Sequence, residues 1–485
     1  MGKTLVTDFL IYRWRYVIGY SLVLSAFVGL LIFAGLYVPG GLSSAEMTAT
    51  AASVPLSFTD PVTLATPSVP FYLVQKALFQ WLGVSHLSIK LLSLICAFIA
   101  GIGVVFLLRR WYRPNIAVLA AIIMITTGQF LFIAQSGTAS ILYIMWPVWL
   151  LLAATMITGS SRHKQLWKLL FFIIMALSLY TPLMAYLILA IASAAILHPH
   201  VRHVLRRMPQ VHLVLLACLG IILLAPLGYL IALRPTLAWE LLGIPTAWPP
   251  DIMTNIGQLI QQYLNFVSPQ SGVLMTPVLG LGSIVLIAIG GWQLFKTRYT
   301  ARSYTMTAWT ILLIPILIIN PRYTSITFVP LLLLTASGLT FLLRSWYSMF
   351  PLNPYARIAG LIPLIVLVAG LVISGVDRYI YGYHYDPNTA TSFSRDLTLL
   401  QHIRNDDLPI RLVVTPSEKP FYQAVAHYNR GADITVISTI PRDSSFVITR
   451  AAHTTTPKTA TITRIVTTER SHDADRFYVY KRTEK

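Results

Sequence analysis

The chain is poor in acid. Its 485 residues hold 17 Asp and Glu against 36 Lys and Arg, and only 11% of positions carry a charge. A water-soluble globular chain carries about 25%, so there is too little polar surface here to cover a globule. The shortage is also uneven. Twelve of the acids lie after residue 376, and the positions before it hold only Asp8, Glu46, Asp60, Glu240 and Asp251. A bilayer accounts for this, because an ionised side chain at its centre costs about 3 kcal/mol or more. Cysteine is scarce as well. Cys96 and Cys218 both sit inside apolar runs, which excludes a disulfide framework in an outward domain and leaves no metal-ligand spacing. There is no Gly-rich loop of the P-loop type, which argues against an ATP-driven transporter.

What the chain has instead is apolar length. Hydrophobic residues make up 56% of it and the mean hydropathy is +0.68. A helix needs about 20 apolar residues to cross the hydrocarbon core. Such runs occupy roughly 16–38, 87–108, 116–135, 140–158, 211–233, 274–295, 304–320, 323–343 and 358–377. The stretch from Trp167 to Leu197 is too long for one span and is broken by Tyr180-Thr181-Pro182, so it reads as two short helices. The expected architecture is an all-α polytopic bundle of about eleven transmembrane helices over residues 1–376. A small α/β domain over 377–485 follows it. The first run is too long for a signal peptide's apolar core, so it reads as a span.

Lys and Arg concentrate in cytoplasmic loops. With the N-terminus inside, seventeen of these cations fall in inner segments and only Lys76, Lys90, Arg234 and Arg322 in outer ones. An odd number of spans then places the C-terminal domain outside. The formal charge of +19 is therefore topology: the C-terminal segment contributes only +3, and nucleic-acid binding is not indicated. The two long loops, 39–86 and 234–273, both face outward and carry Glu46, Asp60, Glu240 and Asp251. Loops of that length are functional or disordered.

Within the first loop, Ser43 to Ala52 reads as a helix with Glu46 in its first turn. Pro70 to Gly83 reads as an aromatic-rich amphipathic helix suited to the membrane interface. The order of one span, a long loop with an acid, Pro67-Ser68-Val69-Pro70, Phe79-Gln80-Trp81-Leu82-Gly83 and Lys90-Leu91 resembles the GT-C glycosyltransferases. These use polyprenyl-phosphate sugars, as in protein O-mannosyltransferases and lipid A aminoarabinose transferases. Pro321-Arg322-Tyr323, followed by Phe328-Val329-Pro330 and Ala336-Ser337-Gly338-Leu339, is similar to a second stretch of that family. The resemblance covers residues 10–345.

It implies transfer of a sugar from a polyprenyl-phosphate donor to a cell-envelope glycan, lipid or protein at the outer face of a bacterial plasma membrane. It fixes no cofactor, and whether a divalent metal takes part is left open. Such transfer needs a base for the acceptor hydroxyl and cations for the departing phosphate. Glu46 is the first candidate base and Asp60 the second. Arg322, with Tyr323 beside it, and Lys90 are the candidate phosphate ligands, with snorkelling at a helix end as the alternative. Glu240, Asp251 and Trp248 are candidates for an acceptor or sugar site. Two departures stand out. The family's Asp-Glu pair is Ala45-Glu46 here, and Gly137-Thr138-Ala139-Ser140 stands where a second acid is common. Either another loop acid such as Asp60 supplies the base, or the activity has diverged or been lost. A catalytically silent scaffold and a lipid or sugar transporter are the alternative functions. Against the transporter, no acid before residue 377 falls within a predicted span, and no internal repeat is visible.

Strands are expected at 410–414, 434–437, 446–448 and 477–480, with a helix from Glu418 to Asn429. The Thr-rich stretch from Thr454 to Thr468 reads as an exposed loop or sheet edge. This outer domain has no catalytic motif and reads as an accessory facing the acceptor or a partner.

Overall fold

A backbone inside hydrocarbon must satisfy its own hydrogen bonds, and the apolar runs do so as helices. The computed structural model describes residues 10–159, 163–207, 210–245, 247–264, 279–349, 354–385, 389, 392–404, 410–429, 434–441, 445–453, 460–467 and 476–482. Lys3, Asp8, Arg162 and Gly431 lie outside these residues, as do 454–459 and 468 of the Thr-rich stretch.

Helix α1 (Leu10–Leu36) leads into the first loop, with strand β1 (Leu42–Ser43), α2 (Ser44–Ser53) and α3 (Val69–Leu82). There follow α4 (His86–Trp111), α5 (Pro114–Ile125), α6 (Gly128–Gln135), α7 (Leu142–Thr158) and α8 (Lys164–Ser178). Next come α9 (Met184–Leu197), α10 (Pro199–Arg206) and α11 (Gln210–Leu233). The second loop holds α12 (Thr236–Leu242) and α13 (Ile252–Leu264). The bundle ends with α14 (Leu281–Lys296), α15 (Ala301–Ile319), α16 (Phe328–Met349), α17 (Pro354–Ala359) and α18 (Leu361–Ile380).

By length and hydropathy, seven helices among the described residues can cross a bilayer, or up to nine if each of two bent pairs is one span. The stretch from Trp167 to Leu197 does divide at Tyr180-Thr181-Pro182, into α8 and α9. The run 116–135 is not one continuous helix: α5 and α6 meet at 61°. There the Thr126 and Thr127 hydroxyls donate back to the carbonyls of Ile122 and Met124, at 2.9 and 2.8 Å, and Thr127 caps α6. Two adjacent Thr followed by Gly128 thus stop one helix and start the next. A 3-10 turn, Pro321–Thr327, precedes α16.

The main core lies among α1, α4 to α7, α15 and α16, around Leu107, Phe130, Ile144, Trp309 and Val329, all fully buried or nearly so. Helices α14 and α16 touch through their backbones. A Cβ on Gly290 would fall 1.9 Å from the Leu334 carbonyl oxygen, and one on Gly338 would fall 2.1 Å from that of Leu286. Small residues that admit such close approach are how helices associate where lipid tails compete with side chains. Gly338→Val should therefore force the pair apart and lose about 1–3 kcal/mol or more. A melting curve of the detergent-solubilised protein checks this; an unchanged midpoint would contradict the packing.

The C-terminal region builds a five-stranded mixed sheet of order β4-β3-β5-β7-β6. Its elements are β2 (Phe393–Ser394), α19 (Asp396–Arg404), β3 (Ile410–Val413), α20 (Lys419–Tyr428), β4 (Ile434–Ile437), β5 (Phe446–Thr449), β6 (Ala460–Thr467) and β7 (Arg476–Arg482). Its strands β3, β4, β5 and β7 occupy the expected stretches. The described part of the Thr-rich stretch is β6, an edge strand paired only with β7. The sheet shares a core with the first loop, in which Leu42, Phe79 and Val84 pack with Leu400, Phe421 and Val425. Strand β1 pairs with β2, Asn429 exchanges two hydrogen bonds with the Val84 backbone at 2.8 and 3.0 Å, and Ser53 meets the Tyr428 hydroxyl at 3.1 Å. This is the loop end of the bundle.

Candidate active site at the loop end of the bundle

Ser43 caps α2. Its hydroxyl accepts from the Glu46 N–H at 3.3 Å, while Glu46 Oε2 accepts from the Ser43 N–H at 2.7 Å and from its hydroxyl at 3.0 Å. This reciprocal capping box folds the carboxylate back against the helix start. The other oxygen, Oε1, accepts from the Gly137 N–H at 2.8 Å, and Lys90 Nζ lies 3.7 Å from it. Lys90 also donates to the Gly41 carbonyl at 3.1 Å and to the Gln135 side-chain oxygen. Both charged side chains have 0% exposure.

This geometry pairs two of the expected site residues with each other in the interior. Glu46, placed first as the base, has both oxygens occupied by donors of its own protein and faces no opening. Lys90, placed at a helix end to hold phosphate, is instead the buried counter-ion of Glu46. Together they join the first loop to α4 and to the α6–α7 connection. Gln75 reinforces the joint by donating to the carbonyls of Ile89 and Gly137, at 3.1 and 3.0 Å. Gly137 itself admits no larger residue, since a Cβ there would lie 2.7 Å from the Ile89 carbonyl oxygen. Beyond it, the Ser136, Thr138 and Ser140 hydroxyls form a chain with 2.9 Å steps.

The second long loop links the first to the 3-10 turn. Arg234 donates to the Ala65 carbonyl at 2.9 Å and to Glu240 Oε1 at 2.6 Å, tying the second loop to the first. Leu64 and Ala65 pack with Leu237 and Leu241. Asn320 donates to the Gly243 carbonyl at 3.1 Å, and Gln262 to the Thr324 hydroxyl at 2.9 Å, so α12 and α13 brace the turn that carries Arg322 and Tyr323. Arg322 is exposed and makes no ion pair among the described residues. The Tyr323 ring stands edge-on to Tyr143 at 6.0 Å. Tyr72, on α3, lies against the backbone of Ala139, and burial pushes its hydroxyl pKa up, so it stays a hydrogen-bond donor.

The remaining candidates lie on the two long loops. Asp60 is exposed and caps the short turn Pro61–Leu64, its Oδ1 accepting from the Val62 N–H at 3.2 Å. Asp251 is exposed and caps α13 through Thr254, whose hydroxyl and N–H hold its carboxyl below the usual range. Trp248 is 70% exposed. A cavity of about 560 Å³ separates α2 from the C-terminal sheet, with Thr48, Asp396, Glu418, Tyr422 and Arg450 among its walls. Sequence reasoning passed over Tyr72, Tyr143, the Arg234–Glu240 pair and Asp396. Arg234 and Glu240 are six residues apart, a spacing that meets on no regular element and needs the chain reversal before α12.

The arrangement is a bundle with helices of membrane-spanning length, on whose loop end a small C-terminal domain packs. ArnT from Cupriavidus metallidurans in the apo state matches with a TM-score of 0.52 at 13% identity, over 96% of this chain and 98% of that one. The same protein bound to undecaprenyl phosphate matches at 0.50 and 12%, with the same coverage. An oligosaccharyltransferase from Archaeoglobus fulgidus in the apo form matches at 0.52 and 13%, over 85% of this chain and 64% of that one. At such identities the likeness is one of fold. In sequence, residues 65–229 match the dolichyl-phosphate-mannose-protein mannosyltransferase family. No curated protein matches.

Proposed function

We propose that the protein is a membrane glycosyltransferase that moves a sugar from a polyprenyl-phosphate donor to a cell-envelope glycan, lipid or protein at the loop end of the bundle. In this reading the N-terminus is cytoplasmic and the chain crosses a bacterial plasma membrane eleven times. The loop end and residues 377–485 are then extracytoplasmic. The observation that carries the proposal is the bracing of the turn bearing Arg322 and Tyr323 by the second long loop, itself tied to the first through Arg234, within a fold shared with an ArnT structure bound to undecaprenyl phosphate.

Arg322 presents a guanidinium that makes no ion pair among the described residues and whose parallel donors suit phosphate oxygens. Tyr72 and Tyr323 stand as neutral donors nearby. The acceptor hydroxyl oxygen attacks the anomeric carbon, the bond from that carbon to the phosphate oxygen breaks, and the lipid phosphate leaves toward Arg322. The acceptor proton passes to Asp60, whose Oδ2 is not engaged in capping. Glu46 and Lys90 hold the loop in place rather than touch substrate. Glu240, Asp251 and Trp248 border the acceptor side.

In a transfer assay with purified protein, Asp60→Asn should lower kcat by about 10²–10⁴-fold, the worth of a positioned base, while lipid-phosphate binding persists. Unchanged turnover would remove Asp60 from this role. One observation favours a silent scaffold as the second reading: the position of the family's Asp is the exposed Ala45. That reading requires wild type to bind the lipid phosphate and transfer nothing.

A further inference from the structure

At the opposite end of the bundle, about 39 Å away along the 26-residue α4 at 1.5 Å per residue, lies a cavity of about 380 Å³. Three guanidinium groups line it, from Arg113 after α4, Arg302 on α15 and Arg344 on α16, together with the amide of Gln293 and the hydroxyls of Ser337 and Thr340. No carboxylate is among its walls. The described acids of the bundle, Glu46, Asp60, Glu240 and Asp251 on the two loops and Asp377 near the end of α18, all lie at the other end. Neither Arg113 nor Arg344 makes an ion pair among the described residues. Arg302 is held rigidly: it donates to the Trp111 carbonyl at 2.6 Å, and its guanidinium lies 5.4 Å from the Tyr112 ring centroid.

A second cleft, of about 510 Å³, opens on the other side of Arg302. Its walls are mostly apolar, with Leu151, Phe171, Met175, Ile188 and Ile191 among them, and Arg110 and Lys168 also line it. The two cavities share Trp111 and Arg302, and Trp111 is fixed between them by donating to the Thr155 hydroxyl at 2.8 Å. One space therefore offers several cations and no anion, and its neighbour offers a hydrocarbon-lined slot. A soluble phosphate needs only the first, whereas a lipid with a phosphate headgroup matches both. Basic pockets between transmembrane helices are a known setting for anionic headgroups.

We infer that this end of the bundle binds one anionic phospholipid, its phosphate among Arg113, Arg302 and Arg344 and an acyl chain in the cleft beyond Trp111. The site is remote from the loop end and does not rest on the proposed transfer reaction. The test is lipid retention by the full chain in mild detergent, measured by native mass spectrometry with added phosphatidylglycerol or phosphatidylcholine of the same acyl chains. Wild type should retain phosphatidylglycerol in preference. Arg113→Gln with Arg344→Gln should weaken it by roughly fivefold for each cation removed. Ala195→Trp, which fills the cleft and leaves every arginine, should weaken it too. A melting curve of each variant confirms that the fold persists. Equal retention of the two lipids, or no loss in the double variant, overturns the site. Displacement of the lipid by inorganic phosphate or glycerol phosphate at matched concentration, with Ala195→Trp unaffected, overturns the lipid assignment in favour of a soluble phosphate.

Discussion

Lys90→Met is expected to lower stability by about 3–5 kcal/mol, the loss seen when one partner of a buried ion pair is removed and the other is left charged in a medium that cannot solvate it. Glu46 would remain with 0% exposure, keeping its hydrogen bonds to Ser43 and Gly137 but no counter-charge. Glu46→Gln should cost less than Lys90→Met in the first loop, because the amide oxygen still accepts from Ser43, yet it strands Lys90 instead. The double variant Lys90→Met/Glu46→Gln should recover much of the loss, since neither residue is then a buried charge. Melting curves of the four proteins in one detergent give the comparison. Should Lys90→Met melt like wild type while turnover disappears, the lysine would be a chemical participant and the structural account of the pair would be wrong.

The second large effect is expected at Arg322. Loss of charge-assisted hydrogen bonds to a phosphate costs about 1.5–3 kcal/mol, so Arg322→Ala should weaken lipid-phosphate binding by about 10- to 150-fold with little change in the melting curve. The absence of a stability effect follows from its exposure and from the lack of an ion pair to break. Arg322→Lys should recover part of the affinity but not all, because an ammonium cannot offer two parallel donors. Titration of undecaprenyl phosphate into each variant measures this. Equal affinity in Arg322→Ala and wild type would make the arginine an ordinary interfacial anchor.

Much of this was legible from the chain alone, for physical reasons. Apolar length and the scarcity of acid mark helices in lipid, and the break at Tyr180-Thr181-Pro182 could be read because proline cannot continue a helix. The start of α2 followed from its leading serine and from Glu46 in the first turn. The kink between α5 and α6 was not legible, because Thr126 and Thr127 are apolar enough to extend a hydropathy run and break it only by hydrogen-bonding back to the preceding turn. The fate of Glu46 and Lys90 was hidden for another reason. They are 44 residues apart in the chain, and only the packing of α4 against the first loop buries one beside the other. An acid in a loop and a lysine at a helix start look accessible until the tertiary structure closes over them. The docking of the C-terminal sheet on the first loop depends on pairs such as Ser53 with Tyr428, which no local pattern announces.

The measurement that tests the central claim most directly is release of lipid phosphate from polyprenyl-phosphate-linked sugars by the wild-type protein in lipid nanodiscs, across a panel of donors. The account predicts turnover with at least one donor, accompanied by transfer of the sugar to an envelope acceptor and lowered about 10²–10⁴-fold by Asp60→Asn. No turnover with any donor, together with no measurable binding of undecaprenyl phosphate, would contradict it.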